Sequence, residues 1–144
     1  MKKLIFITVI AFGLGSVGCK TKKTTSENSD YALLNATTWE VAALEKNPID
    51  KNQNIPSITF NTDEMRISGS GGCNKISGTF KAQANSDQMS FSQTIATRMA
   101  CINMETESTF LKLLEKVSSF KVEKNKLIFY DSNRNELISF IQKN

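Results

Sequence analysis

"ISGSGGCNKISGTF", residues 67–80, gathers four of the chain's seven glycines around a cysteine, an asparagine and a lysine. Such a stretch can cradle a phosphate, present a nucleophile, or turn the chain. A phosphate cradle works because glycine-rich backbone amides lead into a helix whose dipole adds to the attraction. Here Gly69, Gly71 and Gly72 lead into alternation instead, with Ile76, Gly78 and Phe80 on one face and Lys75, Ser77, Thr79 and Lys81 on the other. That period of two is a strand signal, and Lys75 follows Asn74 rather than the glycine of a Walker pattern. A nucleophilic Cys73 would need a group to depress its pKa, and the chain has no histidine. The remaining reading is a tight turn or bulge between two strands, with glycine supplying positive φ.

Cys73 has one candidate partner in the same body, Cys101; the third cysteine, Cys19, stands near the N-terminus. In an exported protein an even pair of this kind becomes a disulfide, with a free thiol pair as the alternative. Closing the loop between them would stabilise the fold by about 3.5 kcal/mol in the chain-entropy model. Two thiols without histidine fall short of a zinc site, so neither metal nor cofactor is expected.

Alternation continues on both sides of the opening stretch. Trp39 and Val41, Ile58 and Phe60, Met65 and Ile67, and Met89 and Phe91 each mark a strand, separated by polar turns such as "NTDE" and "ANSD". "FKVE", "KLIFY" and "ELISFI" form a closing three-stranded meander. Between these groups the period changes. Phe110, Leu113, Leu114 and Val117 recur at helical spacing, with Glu107, Lys112 and Glu115 interleaved. This predicts one helix of about four turns over residues 103–117, with Asn103 as N-cap and Glu105 and Glu107 complementing the dipole. The expected fold is α+β: a predominantly antiparallel, strongly curled sheet or partial barrel of about eight short strands, with one amphipathic helix packed across it.

The N-terminus reads "MKKLIFITVIAFGLGSVGC". Lys2 and Lys3 precede an apolar run, Leu4 to Leu14, too short for a stable membrane span. Small residues then lead to Cys19. The arrangement resembles a bacterial lipobox, except that Ser16 stands where leucine is usual. It implies a signal peptide over residues 1–18 and lipidation, including palmitate, of Cys19. An ordinary secretory signal ending on a chance cysteine and a retained anchor are the alternatives. Two or more acyl chains hold a protein on a bilayer stably. Lys20 after the cysteine fits delivery to the periplasmic face of the outer membrane. Residues 19–38 are polar and lack periodicity, so a flexible tether spanning roughly 25 Å is expected, followed by one domain over 39–144.

The net charge of +4 does not indicate nucleic acid. Five of the 18 basic residues precede Trp39, as do Glu27 and Asp30 of the 14 acidic ones, leaving 13 against 12 in the body. These are interspersed, without a basic stripe or aromatic-basic motif.

"ISGSGGCNKISGTF", followed by "TIATRMAC" some twenty residues later, resembles the paired signature of the META domain, the HslJ-like lipoprotein family. Trp39, the "METESTFLKLL" helix and the closing meander fall in that family's order, from roughly Trp39 to Phe140. Matched residue by residue, the signature positions are Gly72, Cys73, Asn74, Gly78, Thr97, Arg98 and Cys101. The resemblance implies a small β-rich fold, often membrane-anchored in bacteria and linked to heat shock and envelope stress. It implies no catalytic reaction, so the signature residues are expected to be mainly architectural. Arg98 is expected to have a structural partner such as a buried carboxylate, with ligand contact as the alternative.

Three functions compete. The first is a non-enzymatic, membrane-anchored protein that supports envelope integrity or stress tolerance through an envelope partner. The second is a carrier holding a lipid or small hydrophobic ligand in a cavity between sheet and helix; the nine phenylalanines suit this and a filled core equally. The third is a hydrolase using Asp63/Glu64 or Glu105/Glu107, positions where acidic residues have ordinary reasons to be.

Overall fold

A computed structural model describes residues 29–35, 37–101 and 104–143. The signal peptide, Cys19 and the Asn103 cap therefore lie outside the described residues. The chain forms α1 (Ser29–Leu34), β1 (Thr38–Leu44), β2 (Asn47–Pro48), β3 (Ser57–Asn61), β4 (Arg66–Ser70), β5 (Lys75–Ala82), β6 (Met89–Phe91) and β7 (Ile95–Ala96). Then come α2 (Glu105–Leu114), β8 (Ser119–Glu123), β9 (Lys126–Tyr130) and β10 (Glu136–Gln142).

All strand pairs are antiparallel, in the order β6-β5-β4-β3-β1-β10-β9-β8, with β2 beside β1 and β7 beside β5. The two ends of this eight-strand path meet at a single bridge, Gln88 to Ser119. There Met89 N–H donates to Ser118 O at 3.1 Å and Phe120 N–H to Asp87 O at 2.8 Å. The sheet is thus nearly closed into a barrel, and the fold is α+β, mostly β. The eight path strands are the eight marked by alternation in the sequence. In β1 the inward residues are Trp39, Val41 and Leu44. Their phase slips because a bulge between Val41 and Ala43 adds a residue against β10.

Phenylalanines fill the interior. Phe60 meets Phe80 edge-on at 5.2 Å and Phe129 at 6.4 Å between centroids; Phe129 meets Phe91 at 5.4 Å and Phe140 at 4.9 Å; Phe140 meets Phe110 of α2 at 6.3 Å. The rings run unbroken from β5 to α2, and edge-to-face contacts of this kind add about 0.5–1.5 kcal/mol each beyond burial.

The two helices sit at opposite ends of the barrel. Tyr31 of α1 reaches Thr62 O and Met65 Sδ in the β3–β4 turn, both at 3.4 Å, and Asp30 accepts from Val122 N–H of β8 at 3.2 Å. At the other end of β4, Glu107 of α2 meets the β4–β5 loop.

Two expectations are corrected. The tether does not run to residue 38: a helix is formed over Ser29–Leu34, and Leu34 is fully buried. A six-residue helix is too short to show a period, and the polar residues around it mask Tyr31 and Leu34. The second helix is ten residues, not four turns. Val117 is buried beyond its end, because Ser118 N–H already donates to Tyr130 O at 2.9 Å and starts the next strand. Its N-cap is Met104, with no side-chain cap bond.

Leu34→Ala should lower unfolding free energy by about 2–5 kcal/mol, while Leu33→Ala, half-exposed on the same helix, should change it by under about 0.5 kcal/mol. Denaturant titration of the two variants checks this.

Candidate functional site

The β4–β5 loop turns tightly. Gly72 has φ +117°, a region that L side chains avoid, and its N–H donates to Ser70 Oγ at 3.1 Å. Gly71 N–H donates to Asn74 O at 2.8 Å, closing the turn. This aims the next two amides inward. Cys73 N–H and Asn74 N–H both donate to Glu107 Oε2, at 3.1 and 2.7 Å, and Asn74 Nδ2 donates to Glu107 Oε1 at 2.6 Å. A Cβ on Gly71 would lie 2.6 Å from the Glu107 carboxylate, so that glycine is fixed by the anion's proximity. The loop is an anion cradle after all, and the anion belongs to the protein itself.

Asn74, 1% exposed, joins three segments. Its Oδ1 accepts from Thr97 Oγ1 at 2.9 Å and from Met99 N–H at 2.7 Å, while Lys75 N–H donates to Thr97 Oγ1 at 3.1 Å. Cys73 is disulfide-bonded to Cys101, with Cα atoms 6.2 Å apart. One covalent bond and one polar cluster therefore tie the loop to the approach of α2, and Cys73 carries no thiol to act as nucleophile.

Glu107 is 4% exposed. Burial pushes its pKa up. The Asn74 main-chain amide, the Asn74 side-chain amide and the Cys73 amide push it down and together prevail, so the carboxyl stays ionised below its ordinary range. Glu107, expected to lie interleaved with the apolar stripe and to complement the helix dipole, is instead buried with that stripe. The signal is present: Glu107, Phe110 and Leu114 share the i, i+3, i+7 spacing of the buried stripe.

Of the other signature residues, Thr97 enters the cluster but Gly78 and Arg98 do not. A Cβ at Gly78 would make only ordinary contacts, the nearest 3.5 Å, so nothing steric demands glycine there. Arg98 is exposed, with no hydrogen-bond or ion-pair partner among the described residues; the expected structural partner is absent there. The acidic pairs lie in different settings. Asp63 and Glu64 are exposed in a turn whose amides donate to Asn61 Oδ1 at 3.1 and 3.0 Å, and Glu107 is committed to the loop. No cluster of three metal-ligating side chains occurs among the described residues. Beside the disulfide lies an open cleft of about 510 Å³, lined by Asn52, Asn54, Gly72, Cys101 and Thr106, with polar and apolar surface mixed.

The META domain sequence pattern matches residues 32–144. The chain belongs to the META domain family. The match begins within α1, in agreement with a body that starts before Trp39. No curated protein matches the chain. Solved structures share the fold. A protein from Burkholderia xenovorans, determined by NMR, is 18% identical with a TM-score of 0.64 over 99% of both chains. Another NMR structure is 22% identical, TM-score 0.60, over 77% of this chain and 92% of that one. A DUF4847 family protein from Bacteroides vulgatus is 17% identical, TM-score 0.56, over 76% and 94%. At these identities the likeness is one of fold alone.

Two outcomes test the cluster in this META domain. Because the Glu107 pKa is lowered on folding, its stabilisation is complete above the unfolded carboxyl value of about 4.3 and disappears as pH falls through the folded value. Glu107→Gln should therefore cost about 1–3 kcal/mol at pH 7, and the gap from wild type should narrow in acid, measured by denaturation from pH 7 to 3. Separately, Cys73→Ser and Cys101→Ser should lower stability equally, by about 2–4 kcal/mol, and reductant should not lower either mutant further.

Proposed function

We propose that this META domain is the folded body of a membrane-anchored, non-enzymatic envelope protein of the HslJ-like kind, which supports envelope integrity under stress by binding a partner. The observation that carries this reading is the state of the site. Its one buried carboxylate and its two cysteines are consumed in holding three chain segments together, so that neither Glu107 nor Cys73 and Cys101 are free to act as base or nucleophile. Lipidation at Cys19 would place the barrel close to the bilayer, since only residues 20–28 lie between that cysteine and α1.

The carrier reading is less favoured. The space between sheet and α2 is occupied by Phe110, Phe129, Phe140, Leu113 and Leu114, all buried. A second cleft, about 590 Å³, opens at the barrel seam, away from the space between sheet and α2, with Ala82, Met89 and Val117 lining it beside Lys81, Gln88 and Ser118.

Intact-mass measurement and fractionation of the full chain expressed in a Gram-negative host test the anchor. The expected result is a membrane-bound species beginning at an acylated Cys19, with Cys19→Ser neither acylated nor matured at that position. A wild-type protein that is soluble and unacylated would overturn the reading.

A further inference from the structure

We propose that the outer edge of β7, together with Arg98, is a docking site for an extended, acidic segment of another protein, which adds a strand beside β7. This deepens the partner-binding reading above and rests on it.

The backbone geometry points to that chemistry. Ser77 pairs with Ile95 and Ile76 with Ala96, and Thr97 N–H donates to Lys75 O at 3.0 Å. In an antiparallel ladder this turns the main-chain groups of Ile95 and Thr97 toward β5 and those of Ala96 away from it. Strand β7 pairs with β5 alone, so the outward N–H and C=O of Ala96 have no strand partner among the described residues. An extended chain offers donors and acceptors at the matching spacing, and strand addition is the recognition mode such an edge supports.

The side chains agree. Ile95 is 70% exposed, unusual for a large apolar residue on a sheet edge, and Met99, in the segment that follows, is 59% exposed. Edges are normally blunted, and β2, the other short strand, carries Pro48, which has no N–H to offer. Residues 94–99, "TIATRM", contain neither proline nor glycine. Arg98 is exposed and has no partner among the described residues, and residues 88–104 contain no acidic side chain. An unpaired cation on an open edge selects a carboxylate on the incoming strand. The edge also lies at the α2 end of the barrel, opposite α1, so a chain anchored ahead of α1 would present it away from the bilayer. That favours a protein segment over a membrane as the occupant.

The experiment uses full-length protein in detergent, a fluorescein-labelled peptide alternating valine and glutamate, and a matched peptide alternating valine and lysine. The glutamate peptide should bind at least about ten-fold more tightly, with NMR shifts centred on residues 94–99. Ala96→Pro removes the outward N–H and leaves the bonds to β5 in place; it should weaken binding about ten-fold or more at unchanged melting temperature. Arg98→Glu, an exposed change with little risk to folding, should reverse the peptide preference. Equal affinity for the two peptides in wild type, or in wild type and Arg98→Glu, would overturn the proposal. So would a concentration-dependent dimer lost in both variants, which would assign the edge to a second copy of this chain. Binding of phosphatidylglycerol vesicles lost in both variants would assign it to a membrane and overturn the proposal too. None of these results depends on acylation of Cys19, so failure here and failure of the anchor are distinguishable.

Discussion

The burial of one carboxylate without a cation is the constraint on which the rest of this structure depends. Removing Glu107 from water is costly, and no lysine or arginine balances it within the cluster. Three amide donors do so instead, two from the main chain at Cys73 and Asn74 and one from the Asn74 side chain. Hydrogen bonds to an ionised group are about twice as strong as neutral ones, which is how three of them can hold the carboxyl ionised against burial. The arrangement dictates sequence around it. Positive φ at Gly72 turns the amides inward, and Gly71 must lack a side chain where the carboxylate arrives.

The disulfide and the polar cluster bind the same parts of the chain. Cys73 joins Cys101, while Asn74 joins Thr97, Met99 and Glu107. Each holds in place what the other needs, so their contributions should be strongly coupled rather than additive. Neither is a spare for the other in mechanism: the covalent bond acts chiefly by restricting the unfolded chain, whereas the cluster acts on the folded state and sets its geometry. A loop fixed in both ways has little freedom to move, and the same disulfide leaves Cys73 without a thiol.

What is legible in the sequence is whatever repeats. Eight strands announce themselves by alternation because each buries one face for several residues, and the cysteine pair is legible because the body holds two cysteines and no more. Elements of two residues, β2 and β7, have no period to detect. Helix α1 has barely more, and its order comes from the burial of Leu34 and from Tyr31 and Asp30 meeting residues 31 or more positions away. Glu107 misleads for a different reason. Composition treats a glutamate as a solvent-facing residue, and the stripe spacing that contradicts this is outweighed by its place in the first helical turn, where acids are common. Arg98 misleads in the opposite direction: membership of a motif suggests a buried partner, and the side chain is exposed.

Topology connects these local facts. The first and last strands, β1 and β10, are neighbours, so the barrel wall is complete only when the chain's two ends have met. The seam between β6 and β8 is held by one bridge. Such a wall would gape without something to span its ends, and the two helices do this from opposite sides. Helix α1 links β8 to the β3–β4 turn, and α2 links the ring stack, through Phe110 on Phe140, to the β4–β5 loop. Strand β4, about 17 Å long, separates the two helix sites. A pull on the N-terminal segment would load α1 and the β8 side first. The carboxylate cluster, the disulfide and the open edge of β7 lie at the α2 end, and their geometry is set by bonds that α1 does not share. If the proposed anchor and docking edge both hold, a barrel with a helix at each end would be held at one end and recognised at the other, without attachment disturbing recognition.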